Sequence, residues 1–363
     1  MPELPEVETI AGDLRGLVVG ARVAAAASNW PRTLRSHEPD DFARAVTGRE
    51  VEGVGRRGKQ LLVMLSGSAP DPEPAVMTVH LKMTGQLFVV EAGTPSDRHV
   101  HVVLALADGR ELRFRDIRKF GRIGLYRRDP ATGLPIGEES QGVLAAGDEP
   151  LGDDFTAARF AALLSKRRGR IKPLLLNQDF VAGIGNIYAD EALWMARIHP
   201  LRDAHTLTRT EARRLHEAVL DVLTDAIAHR GSSVDDYTAP EGDGSMQERL
   251  QVYQRAGEPC HRCGRPIKRF VVGGRSTHFC SHCQRLPADQ RAANAALLAT
   301  VESPGPTPGR EPHRGPRWTE LSGEGALGRT GAEEADAAER ARRTATRRKA
   351  AATRRAQARA GQA

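Results

Sequence analysis

Met1-Pro2-Glu3-Leu4-Pro5-Glu6-Val7-Glu8-Thr9 opens the chain, with two prolines and three carboxylates in nine residues. Val7, Ile10, Leu14 and Leu17 follow helical spacing. Pro5 suits a first helical turn, and Glu6 and Glu8 suit the positive end of the helix dipole. On this reading the stretch is an amphipathic helix that begins at the N-terminus. A second reading is chemical. Removal of Met1 leaves Pro2 as an N-terminal secondary amine. An α-amino group has a reference pKa of ~7.7–8.0, against ~10.4 for lysine, so part of it is unprotonated at neutral pH. Such an amine attacks an acetal carbon and forms a cationic iminium, which is an electron sink. Glu3, the next residue, can serve as general acid or base. The two readings are compatible, and the rest of the chain decides whether both apply.

The chain has 363 residues, enough for two or three domains. It has no run of 18 apolar residues and no basic-then-apolar leader, so a cytoplasmic protein is the default expectation. The net charge of +7 is concentrated at one end: residues 303–363 hold 13 Lys and Arg against 7 Asp and Glu. The preceding body is nearly neutral, so a nucleic-acid surface there requires basic residues gathered on one face.

Downstream of the first helix, Val18 to Trp30 reads as strand and Asp41 to Val46 as a short helix. Val51 to Leu65 reads as two strands around the basic bend Arg56-Arg57-Gly58-Lys59. Lys59 is either a solvated strand-edge charge or a ligand for phosphate or substrate. Ala75 to Val90 returns to strand and carries His80-Leu81-Lys82-Met83-Thr84-Gly85. His99 and His101 flank Val100, as a metal pair or as solvated, phosphate-facing groups. Asp108-Gly109 marks a hairpin turn. In Leu112-Arg113-Phe114-Arg115 apolar and basic residues alternate, which predicts one buried and one positive sheet face. A basic loop, Asp116 to Gly121, then holds one aromatic residue, Phe120.

Residues 129–150 read as a linker. Helices are expected over Thr156–Ser165 and Ile171–Leu176. Gly183-Ile184-Gly185-Asn186 precedes an apolar-periodic helix whose free N–H groups suit a phosphate. Thr208 and Glu211 form a capping box for a helix that stops near Gly231. Residues 232–246 form a long polar loop. Cys260-His261-Arg262-Cys263 and Cys280-Ser281-His282-Cys283 stand sixteen residues apart. This spacing predicts a closed, structural four-thiolate zinc site and no role for the metal in catalysis. Gly273-Gly274 places a hairpin turn between the knuckles, with Arg275 at its tip. Ala288 to Thr300 has weak helical character, 303–339 are rich in Pro, Gly, Glu and Ala and read as disordered, and Arg340 to Arg359 holds nine basic residues and no acidic one.

Taken in order, the N-terminal hexapeptide, the Lys59 strand, His80 to Gly85, Gly183 to Tyr188 and the four-cysteine ribbon resemble the formamidopyrimidine-DNA glycosylases over residues 1–285. The endonuclease VIII glycosylases are relatives, but they typically carry Gly where this chain has Leu4. The resemblance implies an α+β multidomain protein. Residues 1–130 would form a catalytic β-sandwich with a leading helix, and 131–150 a linker. Residues 151–248 would form a helix-two-turn-helix domain with a lesion loop at 232–246, followed by a zinc hairpin over 249–285 and a basic, largely disordered extension over 286–363.

The implied activity is bifunctional: excision of oxidised purines through an imine on Pro2, then β,δ-elimination. Pro2, Glu3 and Lys59 would be catalytic. Glu6 would lie near the flipped nucleotide, and Met83, Arg118 and Phe120 would fill the gap it leaves. His80, His99, Lys172, Asn186 and Arg275 would contact phosphates. Cys260, Cys263, Cys280 and Cys283 would hold one Zn2+, with no organic cofactor. The partner would be damaged double-stranded DNA bound by a monomer, with no membrane. Lys82 replaces the family's usual Gly, Lys119 replaces a common Arg, and the 232–246 loop diverges. The alternatives are an endonuclease VIII-like enzyme for oxidised pyrimidines and a non-catalytic binder of damaged DNA. A binder has no need of the amine–carboxylate pair.

Overall fold

The first nine residues fold as a helix that serves two cores. In the computed structural model, which describes residues 1–69, 71–145, 147–232 and 244–302, helix α1 spans Leu4–Val18 with Glu3 as its N-cap. Strand β1 (Val23–Ser28) and helix α2 (Pro39–Val46) follow. The basic bend is the turn between β2 (Val51–Arg57) and β3 (Gln60–Leu65), with Gly58 at φ +57°. Next come β4 (Ala75–His80), β5 (Gly85–Glu91), β6 (Val100–Leu106), β7 (Arg110–Asp116), β8 (Arg122–Arg128) and the short β9 (Pro135–Ile136).

These strands form two antiparallel sheets, ordered β1-β6-β7-β5 and β2-β3-β4-β8-β9. Both sheets contribute to one core that also takes Val7, Ile10 and Leu14 of α1. This is the expected sandwich. The expected positive face of β7 is only partly there. Arg113 is buried, donating to the Thr94 and Pro95 carbonyls and pairing with Glu111. The 92–99 turn folds over the strand and supplies those acceptors, which strand alternation alone does not reveal.

Residues 129–150 are more than a tether. Glu149 accepts from Arg56 at 2.6 Å, and from Arg57 and the Gly58 N–H at 2.9 Å, pinning the stretch to the basic bend. The helical half contains α3 (Ala157–Ser165), α4 (Ile171–Leu176), α5 (Asn186–Met195) and α6 (Arg209–Ala228). Thr156 caps α3, and the Thr208–Glu211 box caps α6. The second core includes Phe160, Leu175, Ile184, Leu193, Leu215 and Leu223, and it also takes Leu4 of α1.

The zinc-ribbon hairpin pairs β10 (Lys268–Val272) with β11 (Arg275–Phe279). Gly273 and Gly274 both have positive φ, as its two-residue turn requires. Beyond it, α7 (Ala288–Arg291) and α8 (Ala295–Ala299) belong to the folded body. Leu297, Leu298 and Val301 pack on Phe270 and Phe279, Arg170 donates to Asn294, and the backbones of Arg269 and Glu302 exchange hydrogen bonds. The expectation of an extension beginning at 286 is thus corrected: residues 286–302 cover the hairpin's apolar face. The basic tail at 303–363 and most of the expected lesion loop, 233–243, lie outside the described residues. Among the described residues no helix is long and apolar enough to cross a membrane.

Candidate active site

Glu3 sits between the two halves. Its carboxylate accepts from the Ile187 N–H at 3.0 Å and lies 3.5 Å from the Tyr188 nitrogen, both in the first turn of α5. The glycines before that helix make the approach feasible. A Cβ on Gly185 would lie 2.2 Å from Glu3 Cδ, and one on Gly183 would lie 2.6 Å from Leu4 Cδ1. The Leu4 N–H donates to the Gly183 carbonyl at 3.0 Å. The anion at this helix N-terminus is therefore the protein's own Glu3, not a phosphate as the turn's sequence led us to expect. The helix dipole and the unpaired N–H groups hold the carboxylate in place.

Burial raises the Glu3 pKa and nearby Glu6 adds to the rise, while Lys59 and the Ile187 N–H oppose it. Lys59, in the turn between β2 and β3, is also buried. Burial lowers its pKa, against the pull of Glu3 and Glu6. Burial thus favours the neutral form of each group more than water would. Both line a cleft of about 280 Å³ together with Met1, Met83, Asn186, Ile187, Tyr253, Arg275 and Ser276. Pro2 is buried beside Glu3. While Met1 is present the Pro2 nitrogen is a peptide nitrogen, and Met1 forms part of the cleft wall.

Glu6 does not face the cleft. It accepts from the Glu3 N–H at 2.8 Å, the Tyr188 hydroxyl at 2.5 Å and the Ser232 N–H at 2.8 Å. It thus joins α1, α5 and the start of the 232–246 loop, where Gly231 at φ +74° leaves it room. Tyr188 could not be placed in this network from local pattern, because its partner lies 182 positions away.

Met83 and Phe120 are exposed, as is Ile117, while Arg118 stacks 5.1 Å from the Phe120 ring. Their loop is held from below by the buried Asp116 carboxylate, which accepts from Thr84 Oγ1, the Arg118 N–H and the Gly121 N–H. Lys82 and Lys119 both have left-handed backbones, at φ +56° and +57°. The conformation at Lys82 is one that glycine adopts freely. Lys119 Nζ lies 3.9 Å from the Trp30 ring centroid.

The expected phosphate-contacting residues separate. Asn186 and Arg275 line the cleft. His80 lies nearby, its pKa pushed down to about 3 by burial and by Lys82 and Lys59, so it is neutral. His99 stands at the head of β6, 3.3 Å from Arg98 Nε. It forms no metal pair with His101, which is buried against Asn29 and the Asp116 carbonyl. Lys172 is the clearest departure. It is fully buried, pairs with Asp190 at 2.6 Å, and donates to the Ser276 carbonyl and Thr277 Oγ1. It ties α4 and α5 to the hairpin from inside, and removing one partner of such a pair typically costs roughly 3–5 kcal/mol.

The sulfur atoms of Cys260, Cys263, Cys280 and Cys283 all lie within 4.8 Å of one another, a closed set suited to one metal ion. Trp194 Nε1 donates to Cys260 Sγ at 3.4 Å, the kind of outer contact that orients a ligand. Glu191 of α5 accepts from the Gln251, Val252 and Tyr253 N–H groups and fixes the ribbon to the helices.

Known proteins agree with this geometry. Residues 1–123 match the formamidopyrimidine-DNA glycosylase N-terminal domain, 146–238 its H2TH domain, and 257–286 the zinc finger found in FPG and IleRS. The formamidopyrimidine-DNA glycosylase of Herpetosiphon aurantiacus is 49% identical over 286 residues, spanning 78% of this chain and all of that protein. That of Chloroflexus aurantiacus is 46% identical over 78% of this chain and 98% of its own length. Among solved structures, the Lactococcus lactis enzyme in complex with abasic-site DNA is 35% identical, with a TM-score of 0.70, over 78% of this chain and 100% of that one. The same enzyme with N7-benzyl-Fapy-dG DNA aligns equally well. By its domains, its cleft and these relatives, the chain belongs to the formamidopyrimidine-DNA glycosylase family.

Proposed function

We infer that this protein is a base-excision-repair enzyme that removes oxidised purines from duplex DNA and then cleaves the strand at the abasic sugar. The observation that carries this reading is that buried Glu3 and buried Lys59 line one cleft beside the N-terminus, shared with Asn186 and Arg275. The Pro2 amine, freed by loss of Met1, attacks C1′ of the damaged nucleotide. Glu3 delivers the proton that opens the sugar ring, and Lys59 holds the lesion and a flanking phosphate. The base leaves, and a Pro2 iminium remains. The iminium acidifies the sugar C2′–H, so β-elimination and then δ-elimination break the strand from the same adduct.

The target nucleotide must first leave the stack, at a cost of a few kcal/mol. Met83, Arg118 and Phe120 enter the duplex to fill its place, with Phe120 as wedge and Arg118 facing the orphaned base. Asn186, Arg275, His80 and His99 hold the backbone, and Lys172 acts indirectly by fixing the strand that carries Arg275. Residues 1–130 supply the chemistry, while 151–248 and the zinc hairpin supply the grip. The enzyme works as a monomer in the cytoplasm, on the nucleoid. The expected result is rapid nicking of a duplex with 8-oxoguanine opposite cytosine, and much slower nicking of one with an oxidised pyrimidine. The opposite ranking would favour the endonuclease VIII-like reading.

The four thiolates would hold a zinc ion that stiffens the hairpin. The metal's role there is structural. Chelation, or Cys260→Ser, should loosen the Arg275 tip and weaken binding to damaged duplex tenfold or more. Hydrogen bonds to charged groups are worth ~1.5–3 kcal/mol each. The sandwich should keep its β circular-dichroism signal. Unchanged affinity in metal-free protein would contradict this role.

A further inference from the structure

A second cavity, of about 340 Å³, is lined by Gln60 and Lys82, each one residue from a residue that lines the Glu3 cleft. Strand register builds its floor. Gln60 lies opposite His80, and His80 lies opposite Arg122, so the three point to one face. Two residues along, Thr78 lies opposite Gly124, and Tyr126 follows on the same face. Gly124 lacks the Cβ that would stand 2.4 Å from the Tyr126 hydroxyl, which lets that ring lie across the strand. Arg35 enters at the side, its backbone N–H bound to the Ile123 carbonyl. Lys82 closes the rim from its left-handed turn.

Three cations therefore face this cavity, and one carboxylate, Glu139. Among the described residues no carboxylate forms an ion pair with Arg35, Lys82 or Arg122, and the Arg122 guanidinium donates only to the Lys119 and Gly121 carbonyls. Burial lowers the Lys82 pKa, and Arg122 and Arg35 lower it further, the mark of uncompensated repulsion. Gln60 gives an independent sign. It is 8% exposed, it lines the cavity, and its buried Oε1 has no hydrogen-bond partner. An amide so uncommitted can turn its NH2 end toward an anion.

We propose that Arg35, Lys82 and Arg122, with the Gln60 amide and His80, form a phosphate-binding site separate from the excision cleft. The site lies one residue from exposed Met83, so the phosphate it fits is one in the DNA backbone beside the wedge. This rests on the glycosylase reading only for the choice of DNA as source. The site shares only His80 with the phosphate contacts implied by family resemblance.

The test uses full-length protein and undamaged duplex, so it does not depend on base excision. Arg35→Gln and Lys82→Gly should each weaken duplex binding about 3- to 10-fold, and should flatten the log–log salt dependence by about one unit. Lys82→Gly relaxes a left-handed backbone, so its melting temperature should not fall, and weaker binding cannot then be misfolding. A methylphosphonate placed at successive linkages should weaken the wild type at one linkage near the wedge and leave Arg35→Gln unaffected there. A melting-temperature rise with inorganic phosphate that is lost in Arg35→Gln, with duplex binding unchanged, would keep the phosphate site and overturn DNA as its source. Wild-type duplex affinity and salt slope in both variants, with no such phosphate effect, would overturn the proposal. A protein that binds as expected yet excises nothing would instead overturn the glycosylase reading.

Discussion

Protein freed of Met1 is expected to form a covalent adduct with 8-oxoguanine-containing duplex under borohydride, and protein that retains Met1 is expected to form none. The argument is geometric and chemical together. On the proposed function the amine that forms the iminium is Pro2, and with Met1 retained the Pro2 nitrogen is a peptide nitrogen that cannot attack, while Met1 itself lines the cleft. Pro2→Gly supplies a primary amine in place of a secondary one. It should trap at a reduced rate, since a primary amine still forms an imine. Denaturing gels resolve the three outcomes directly. An adduct formed in equal yield by Met1-retaining protein would assign the nucleophile to another amine that lines the cleft, the Met1 α-amine or Lys59.

Glu3→Gln is expected to lower excision by about 10²–10⁴-fold, the usual contribution of a positioned general acid or base. It should also raise the melting temperature at pH 8. The raised pKa of Glu3 fixes the sign. A carboxyl whose folded-state pKa exceeds its unfolded value stabilises the fold fully below the unfolded value, and that stability is lost as pH rises through the folded value. The charged form is thus the costly one to bury, and glutamine removes that cost while still accepting from the Ile187 N–H. The advantage of Glu3→Gln should shrink as pH falls through the folded-state pKa toward 4.5. Thermal melts at several pH values, beside single-turnover excision, would check both halves. A variant that is inactive and also less stable at pH 8 would mean that the charge itself holds the two halves together.

Much of the fold could be read from local signals. The Thr208–Glu211 box, the Asp108-Gly109 and Gly273-Gly274 turns and the paired cysteine knuckles each determine geometry within a few residues. Distant partners were not legible. Lys172 looks like an available cation until Asp190 and the Ser276 carbonyl are brought to it, and Arg113 looks like a surface charge until the 92–99 turn covers it. The glycines before Asn186 advertise an anion site, and only the tertiary fold delivers Glu3 to it. Lys82 departs from the family's glycine, and the backbone explains why glycine is common there and what the lysine accepts in taking its place.

The separation of 184 residues between Glu3 and its Ile187 donor has a consequence for how the protein is made. The N-terminus leaves the ribosome first, but the slot that receives it, formed by Gly183 and Gly185, is synthesised more than halfway along the chain. A nascent chain therefore has no assembled active site. Trimming of Met1 has its opening during that interval, while the terminus is still free of the slot. On the proposed function, translation order separates the trimming that frees the Pro2 amine from closure of the slot around Glu3.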